Sequence, residues 1–164
     1  MADRPLVGAR AIVLHRGYVL LLRGEEPGRV YWFLPGGMVR HGESLRQACE
    51  REVLEETGVR VRAGPMVYLR EFIASRHKRI TRGMPPNHHV VAGVFLCEVT
   101  GDGADREPGQ LGTFVADRNA KGVTGMAWVK LAEVEGLEIH PPQLKSALLA
   151  GLAGDTPLQF WPEE

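Results

Sequence analysis

The chain has 164 residues, 44% of them hydrophobic and 24% charged, and its 20 basic and 20 acidic side chains cancel to a formal net charge of zero. That length fits one domain with a core of its own, and neutrality excludes a global attraction to nucleic acid or to an acidic membrane surface, so phosphate binding has to come from local patches. Two cysteines, and an N-terminus without an apolar run, argue against a disulfide framework, a secretory leader and a membrane span; the expectation is reduced thiols and a cytoplasmic location.

Residues 9–15 (ARAIVLH) and 18–23 (YVLLLR) read as two strands joined at Arg16-Gly17, a connection short enough for a tight hairpin. Their near-continuous Val, Leu and Ile content predicts that both faces are mostly covered. Residues 24–29 form a polar loop, and Tyr31-Trp32-Phe33-Leu34 runs as a short strand into Pro35-Gly36-Gly37. Aromatic side chains here are expected chiefly in the core, with Tyr31 or Trp32 the candidates for stacking on a substrate base.

After a helix over residues 45–57, residues 59–61 and 66–75 are expected as strands separated by Ala63-Gly64-Pro65. The segment 76–87 (RHKRITRGMPPN) gathers Arg76, Lys78, Arg79 and Arg82, and ends in a proline pair that continues neither a helix nor an inner strand. Residues 88–99 return as a long strand, so this basic segment is predicted to be a hairpin loop, and its Arg and Lys donors are candidates for gripping substrate phosphates. Residues 100–125, rich in Gly and Asp, read as a long loop. Residues 126–129 resume a strand, 131–134 begin a helical turn, and 143–152 form an amphipathic helix that covers the sheet. In the tail, Phe160-Trp161 docks either on the core or on a second subunit of a homodimer. Strands around one helix, closed by another, predict an α/β or α+β layered fold.

The helix over 45–57 organises the rest. Ser44 is its expected N-cap and Gly58 its stop. At about 100° per residue, Glu52, Glu55 and Glu56 fall within an arc of about 100°, along the same stripe as Leu45, Ala48 and Cys49. Acids crowded on an inward stripe repel one another and need a compensating cation. Hard divalent ions are bound by carboxylate oxygens, waters and substrate phosphates, so the stripe predicts a Mg²⁺ or Mn²⁺ site.

Gly37, Glu43, Arg51, Glu52, Glu55, Glu56 and Gly58, with Leu54, Val53, Thr57 and Val59 around them, stand at the spacing of the Nudix box, and residues 37–59 resemble it with no departure at any defined position. The resemblance to Nudix hydrolases, of the MutT and ADP-ribose pyrophosphatase kind, implies an α/β/α sandwich with a mixed sheet over residues 6–150, leaving 151–164 as a tail. It implies an enzyme that hydrolyses a small-molecule nucleotide, a nucleoside diphosphate linked to another group, using a divalent metal. By resemblance Glu52, Glu55 and Glu56 are metal ligands, Glu52 or Glu55 aids the general base, and the Gly36 carbonyl is a further ligand. Arg51 and Glu43 support the carboxylates, and a late acid, Glu107 or Asp117, is a candidate to join them.

Diphosphate cleavage needs neutralisation of oxygen charge, an aligned water and an acceptor for its proton. Gly36-Gly37 suits close approach of the backbone to a metal or phosphate. The subfamily signatures for ADP-ribose, dinucleoside polyphosphates and NADH are absent: Ile73, Ser75 and Arg76 occupy their region, while Pro65 and Tyr68 come too early. Two other functions compete. A non-catalytic nucleotide-binding or regulatory module has no need of crowded carboxylates, and an isomerase of prenyl diphosphates wants a catalytic cysteine nearer the site than Cys49.

Overall fold

In the computed structural model of the chain, which describes residues 4–77, 84–116 and 122–161, Arg16 and Gly17 both take positive φ, 48° and 80°. Such turns match the twist of antiparallel strands, and this one joins β1 (Leu6–His15) to β2 (Tyr18–Glu26), pairing Leu14 with Val19. The two strands then part. Gly8, Ala9 and Arg10 pair with β4 (Gly36–Met38), while Leu22 to Glu26 of β2 pair with β3 (Arg29–Phe33). Leu34 and Pro35 cross the gap, with the Ala11 N–H donating to the Pro35 carbonyl at 3.0 Å. This splay carries Gly36 and Gly37 against the middle of β1.

The sheet continues from β1 to a parallel β6 (His89–Val99), then to an antiparallel β5 (Val61–Ile73) and a parallel edge strand β9 (Gln159–Trp161). Along its other side β7 (Val123–Lys130) lies beside β2, and β8 (Ile139–His140) beside β3. One helix, α1 (Leu45–Thr57), packs on one face and α2 (Pro142–Ala150) on the other. The result is an α/β/α sandwich around a mixed sheet.

Helix α1 begins with a capping box: the Ser44 hydroxyl accepts the Gln47 N–H, and the Gln47 side chain accepts the Ser44 N–H. Such a cap is worth about 1 kcal/mol. It ends where Gly58, at φ 70°, donates its N–H to the Leu54 carbonyl. The buried stripe is Ala48, Cys49, Val53 and Thr57, of which the first three pack with Ala9, Ala11, Val13, Phe95 and Cys97. Across the sheet, Ile12, Val67, Tyr68 and Val94 meet Leu144 and Leu148 of α2. Strands covered on both faces explain the unbroken apolar runs of the sequence. Each aliphatic chain buried there contributes about 1.5–3 kcal/mol.

Two elements differ from expectation, and the tail takes one of the two places foreseen for it. The two strands foreseen on either side of Ala63-Gly64-Pro65 are one, β5, because register shifts between Ala63 and Met66 and between Met66 and Tyr68 absorb the proline as a bulge. The polar segment 24–29 is largely strand, turning only at Pro27 and Gly28. The tail returns to the sheet as β9, where Trp161 is buried and stacks on Tyr68 with ring centroids 3.7 Å apart. Lys78, Arg79, Arg82 and Asp117 lie outside the described residues, and the basic segment connects β5 to β6 where Ile73 pairs with His89. No described helix is long and apolar enough to cross a membrane.

Candidate active site

The glutamates of α1 meet the glycine pair of β4. Gly36 lies at φ 145°, and a Cβ there would press on the Ala9 carbonyl oxygen and come within 2.8 Å of the Arg10 Cα and Cδ. At Gly37 the obstacle is different: a Cβ would overlap the Glu52 carboxylate, 2.7 Å from its Oε2. Glu56, one turn further along α1, accepts the Gly36 N–H on Oε2 at 2.9 Å. Two carboxylates four residues apart on one helix are thus laid on two consecutive peptides that carry no side chain.

Arg51 stands in the middle of the acids. Its Nε and Nη2 donate to the two oxygens of Glu43 at 2.6 and 2.9 Å, the planar fork expected of an Arg–carboxylate pair. Nη2 also donates to the Met38 carbonyl at 3.1 Å, and Nη1 donates to Glu52 at 2.7 Å and Glu55 at 3.3 Å. Arg40 adds its guanidinium 3.5 Å from the other oxygen of Glu55 and its N–H to Glu43. The Arg51 hydrogen bonds hold the Glu43 carboxyl at about 2, with the Arg40 N–H helping. Glu56 behaves in the opposite way. Burial pushes it up to about 7 and the charges of Glu52 and Glu55 add to that, while the Gly36 N–H and the Arg10 charge pull it down. An approaching cation favours the ionised form of such an acid.

Among the described residues, no three Asp, Glu, His or Cys side chains stand close enough together to grip an ion. Arg51 and Arg40 draw Glu52 and Glu55 to one side, and the Gly36 N–H holds Glu56. The donor set nonetheless suits a hard divalent cation: carboxylate oxygens and a backbone carbonyl above peptides with no Cβ in the way. Glu52, Glu55, Glu56, Arg51, Glu43, Gly36 and Gly37 are all brought together here.

The other candidates are dispersed. Tyr31 is buried rather than open to a base: Phe33 stacks beside it, the Arg29 guanidinium lies 4.8 Å from its ring centre, and His140 meets its edge. Its place beside Gly24, where a Cβ would overlap the ring, completes the enclosure. Glu107 pairs with Arg16 at the β1–β2 turn, six residues along β1 from Arg10 and so about 20 Å away. Arg76 is exposed in the 3₁₀ turn that follows β5. His89 faces Glu71, with 2.9 Å between Nε2 and Oε1, whereas His88 is held below its usual range by burial and by the charge of Arg10.

Arg10 is the site residue that sequence reasoning missed. Its Nη1 donates to the Gly36 carbonyl at 2.8 Å. The signal was present, since Arg10 is the one charged residue within the apolar run from Ala9 to Val13.

A family model described as the NUDIX domain matches residues 4–148. Over 62 residues the chain is 45% identical to the low-salt glycan biosynthesis protein Agl8 of Haloferax volcanii, a stretch covering 37% of this chain and 40% of that protein. It is 34% identical over 98 residues to an ADP-ribose pyrophosphatase of Methanocaldococcus jannaschii, covering 59% of this chain and 53% of the relative. The chain therefore spans about half the length, or less, of these relatives. Its fold superposes on the crystal structure of a MutT protein from Methanosarcina mazei with a TM-score of 0.60 and 25% identity, over 92% of this chain and 95% of that one.

Proposed function

The chain belongs to the Nudix family of hydrolases, and we propose that it cleaves the diphosphate linkage of a nucleoside diphosphate derivative by attack of water. A nucleoside triphosphate, ADP-ribose or a nucleotide sugar is the substrate class, and Mg²⁺ or Mn²⁺ the cofactor. One observation carries this reading: the Glu52 carboxylate covers Gly37 while that of Glu56 grips the Gly36 peptide. The name of the Methanocaldococcus jannaschii relative supports including ADP-ribose among the substrates to test.

In this reading Glu52, Glu55, Glu56 and the Gly36 carbonyl hold the metal. When bound, the ion neutralises phosphate oxygens and lowers the pKa of water. Arg51 orients Glu52 and Glu55, and Glu43, itself held ionised, anchors Arg51. Glu52 or Glu55 accepts the proton of the attacking water, a contribution of about 10²–10⁴-fold. Gly37 gives the Glu52 carboxylate its place against the backbone. The domain assigned to this activity runs over residues 6–150. A cytoplasmic setting agrees with two free buried thiols, Cys49 and Cys97, whose sulfurs lie 3.7 Å apart.

The test is a chromatographic panel of nucleotides with Mg²⁺ or Mn²⁺, followed by phosphate or nucleoside monophosphate release. Hydrolysis of one class between its phosphates, abolished by EDTA, is the expected result. Tight nucleotide binding without turnover of any would establish a binding module instead.

A further inference from the structure

The Gly36 peptide is held from two directions. Its N–H goes to Glu56 of α1, and its carbonyl takes the Arg10 Nη1 at 2.8 Å. Arg10 follows Ala9 and precedes Ala11, both of which pack toward α1, so it springs from the other face of β1. Its stem runs along Gly36, where a Cβ would come within 2.8 Å of the Arg10 Cδ. The charge at its end acts on two groups, Glu56 and His88. Arg10 thus places a cation on the carbonyl proposed as a metal ligand, at the peptide whose N–H is held by the buried acid of α1.

The other guanidiniums of the site are committed elsewhere. Arg51 spends its donors on Glu43, Glu52, Glu55 and Met38. Among the described residues the Arg40 guanidinium reaches only Glu55, from a side chain that is 65% exposed. For Arg10, the hydrogen bond to Gly36 is the only one its guanidinium makes among the described residues. It lies outside the box motif, yet it has a planar fork suited to phosphate and donors to spare.

Resting on the metal-dependent reading above, we infer that Arg10 is a resident counter-cation that exchanges partners during binding. Without metal it covers the Gly36 carbonyl, on the peptide whose N–H goes to Glu56. A divalent cation held by that carbonyl would bring like charge to Arg10, which would disfavour the original contact. The guanidinium then turns to an anionic phosphate oxygen of the nucleotide. Arg10 therefore opposes binding of the metal alone and favours binding of substrate, making it a substrate-binding residue with effects of opposite sign on the two ligands.

Binding of Mn²⁺ without nucleotide, read from the loss of the free-ion EPR signal, separates this from a purely structural role. Arg10→Met keeps the stem on Gly36 and removes the charge. It should bind Mn²⁺ at least about five-fold more tightly than wild type, while KM for the nucleotide rises about ten-fold or more and kcat changes less. Arg10→Lys, keeping a cation without the fork, should leave Mn²⁺ affinity near wild type and still raise KM. Thermal melting identifies any variant that fails to fold, and Arg10→Gln then supplies the same comparison. Unchanged or weakened Mn²⁺ binding in a folded uncharged variant overturns the inference. Absence of Mn²⁺ binding by wild type overturns the metal reading beneath it, a distinct result.

Discussion

The Glu52 carboxylate occupies the space that a methyl group on Gly37 would need, whereas at Gly36 the same space is filled by the backbone of Ala9 and Arg10. The two glycines of one dipeptide therefore protect different things. Gly37 makes room for a flexible side-chain end. Gly36 makes room for a neighbouring strand and adopts φ 145°, which side chains disfavour.

Gly37→Ala should consequently fold normally, because Glu52 can swing aside, yet lose about 10²-fold or more in kcat as the carboxylate leaves its place. Melting temperature and steady-state rates measured on one preparation decide this. An active Gly37→Ala enzyme would detach Glu52 from the chemistry.

Gly36→Ala should show the reverse order of effects. The clash is with backbone and the conformation is strained, so the loss is in stability, about 2 kcal/mol or more by urea denaturation. A variant as stable as wild type would mean that β4 moves off β1 at little cost.

Chelation and amide substitution address the metal site directly. Turnover should vanish in EDTA and return with Mg²⁺ or Mn²⁺. Glu52→Gln and Glu56→Gln should each lower the rate about 10²-fold or more while leaving the circular dichroism spectrum unchanged, since charge is lost without change of shape. If both amides turn over at near wild-type rates, the site is elsewhere.

The basic segment between β5 and β6 should act on binding rather than on chemistry. Exposed charges are screened over about 8–10 Å, so only a ligand close to the segment feels them. The Arg79→Ala, Arg82→Ala double variant should raise KM, most for substrates with more phosphates, and weaken its salt dependence, with kcat little changed. Kinetics at two salt concentrations provide the check, and an unchanged KM at both returns the segment to ordinary solvated surface.

Acid stability should depend on a pair far from the site. The Arg29 hydrogen bond, with His140 adding to it, holds the Glu138 carboxyl down at about 2 from an ordinary 4.5. A depressed carboxyl stabilises the fold above its unfolded value and loses that contribution as pH falls toward the folded one. The stability of wild type should therefore drop between pH 4.5 and 2, and Glu138→Gln should be less stable at pH 6 but lose less across that window. Partial exposure of the pair, 17% for Arg29 and 40% for Glu138, keeps the effect modest. Parallel pH profiles for the two proteins would remove the pair from the account.

How much of this was legible without coordinates follows from the range of the forces involved. The acidic helix was readable to within a residue, because Ser44, Gly58 and the spacing of Glu52, Glu55 and Glu56 act through local hydrogen bonds and a helical period. The Arg16-Gly17 hairpin and the two-sided burial of β1 and β2 were readable for the same reason. The sequence also marked Gly36-Gly37 as special, without saying that one glycine yields to Glu52 and the other to Ala9. That distinction, like the burial of Tyr31 and the capture of Glu107 by Arg16, needs residues far apart in the chain to be placed in one volume. The splay of β1 from β2 sets those distances. It brings Gly36 beside Arg10 across 26 residues of chain and leaves Glu107 at the distant turn. Local periodicity carries no record of such placements, because they follow from the pairing register of a curled sheet and from what its two faces can bury.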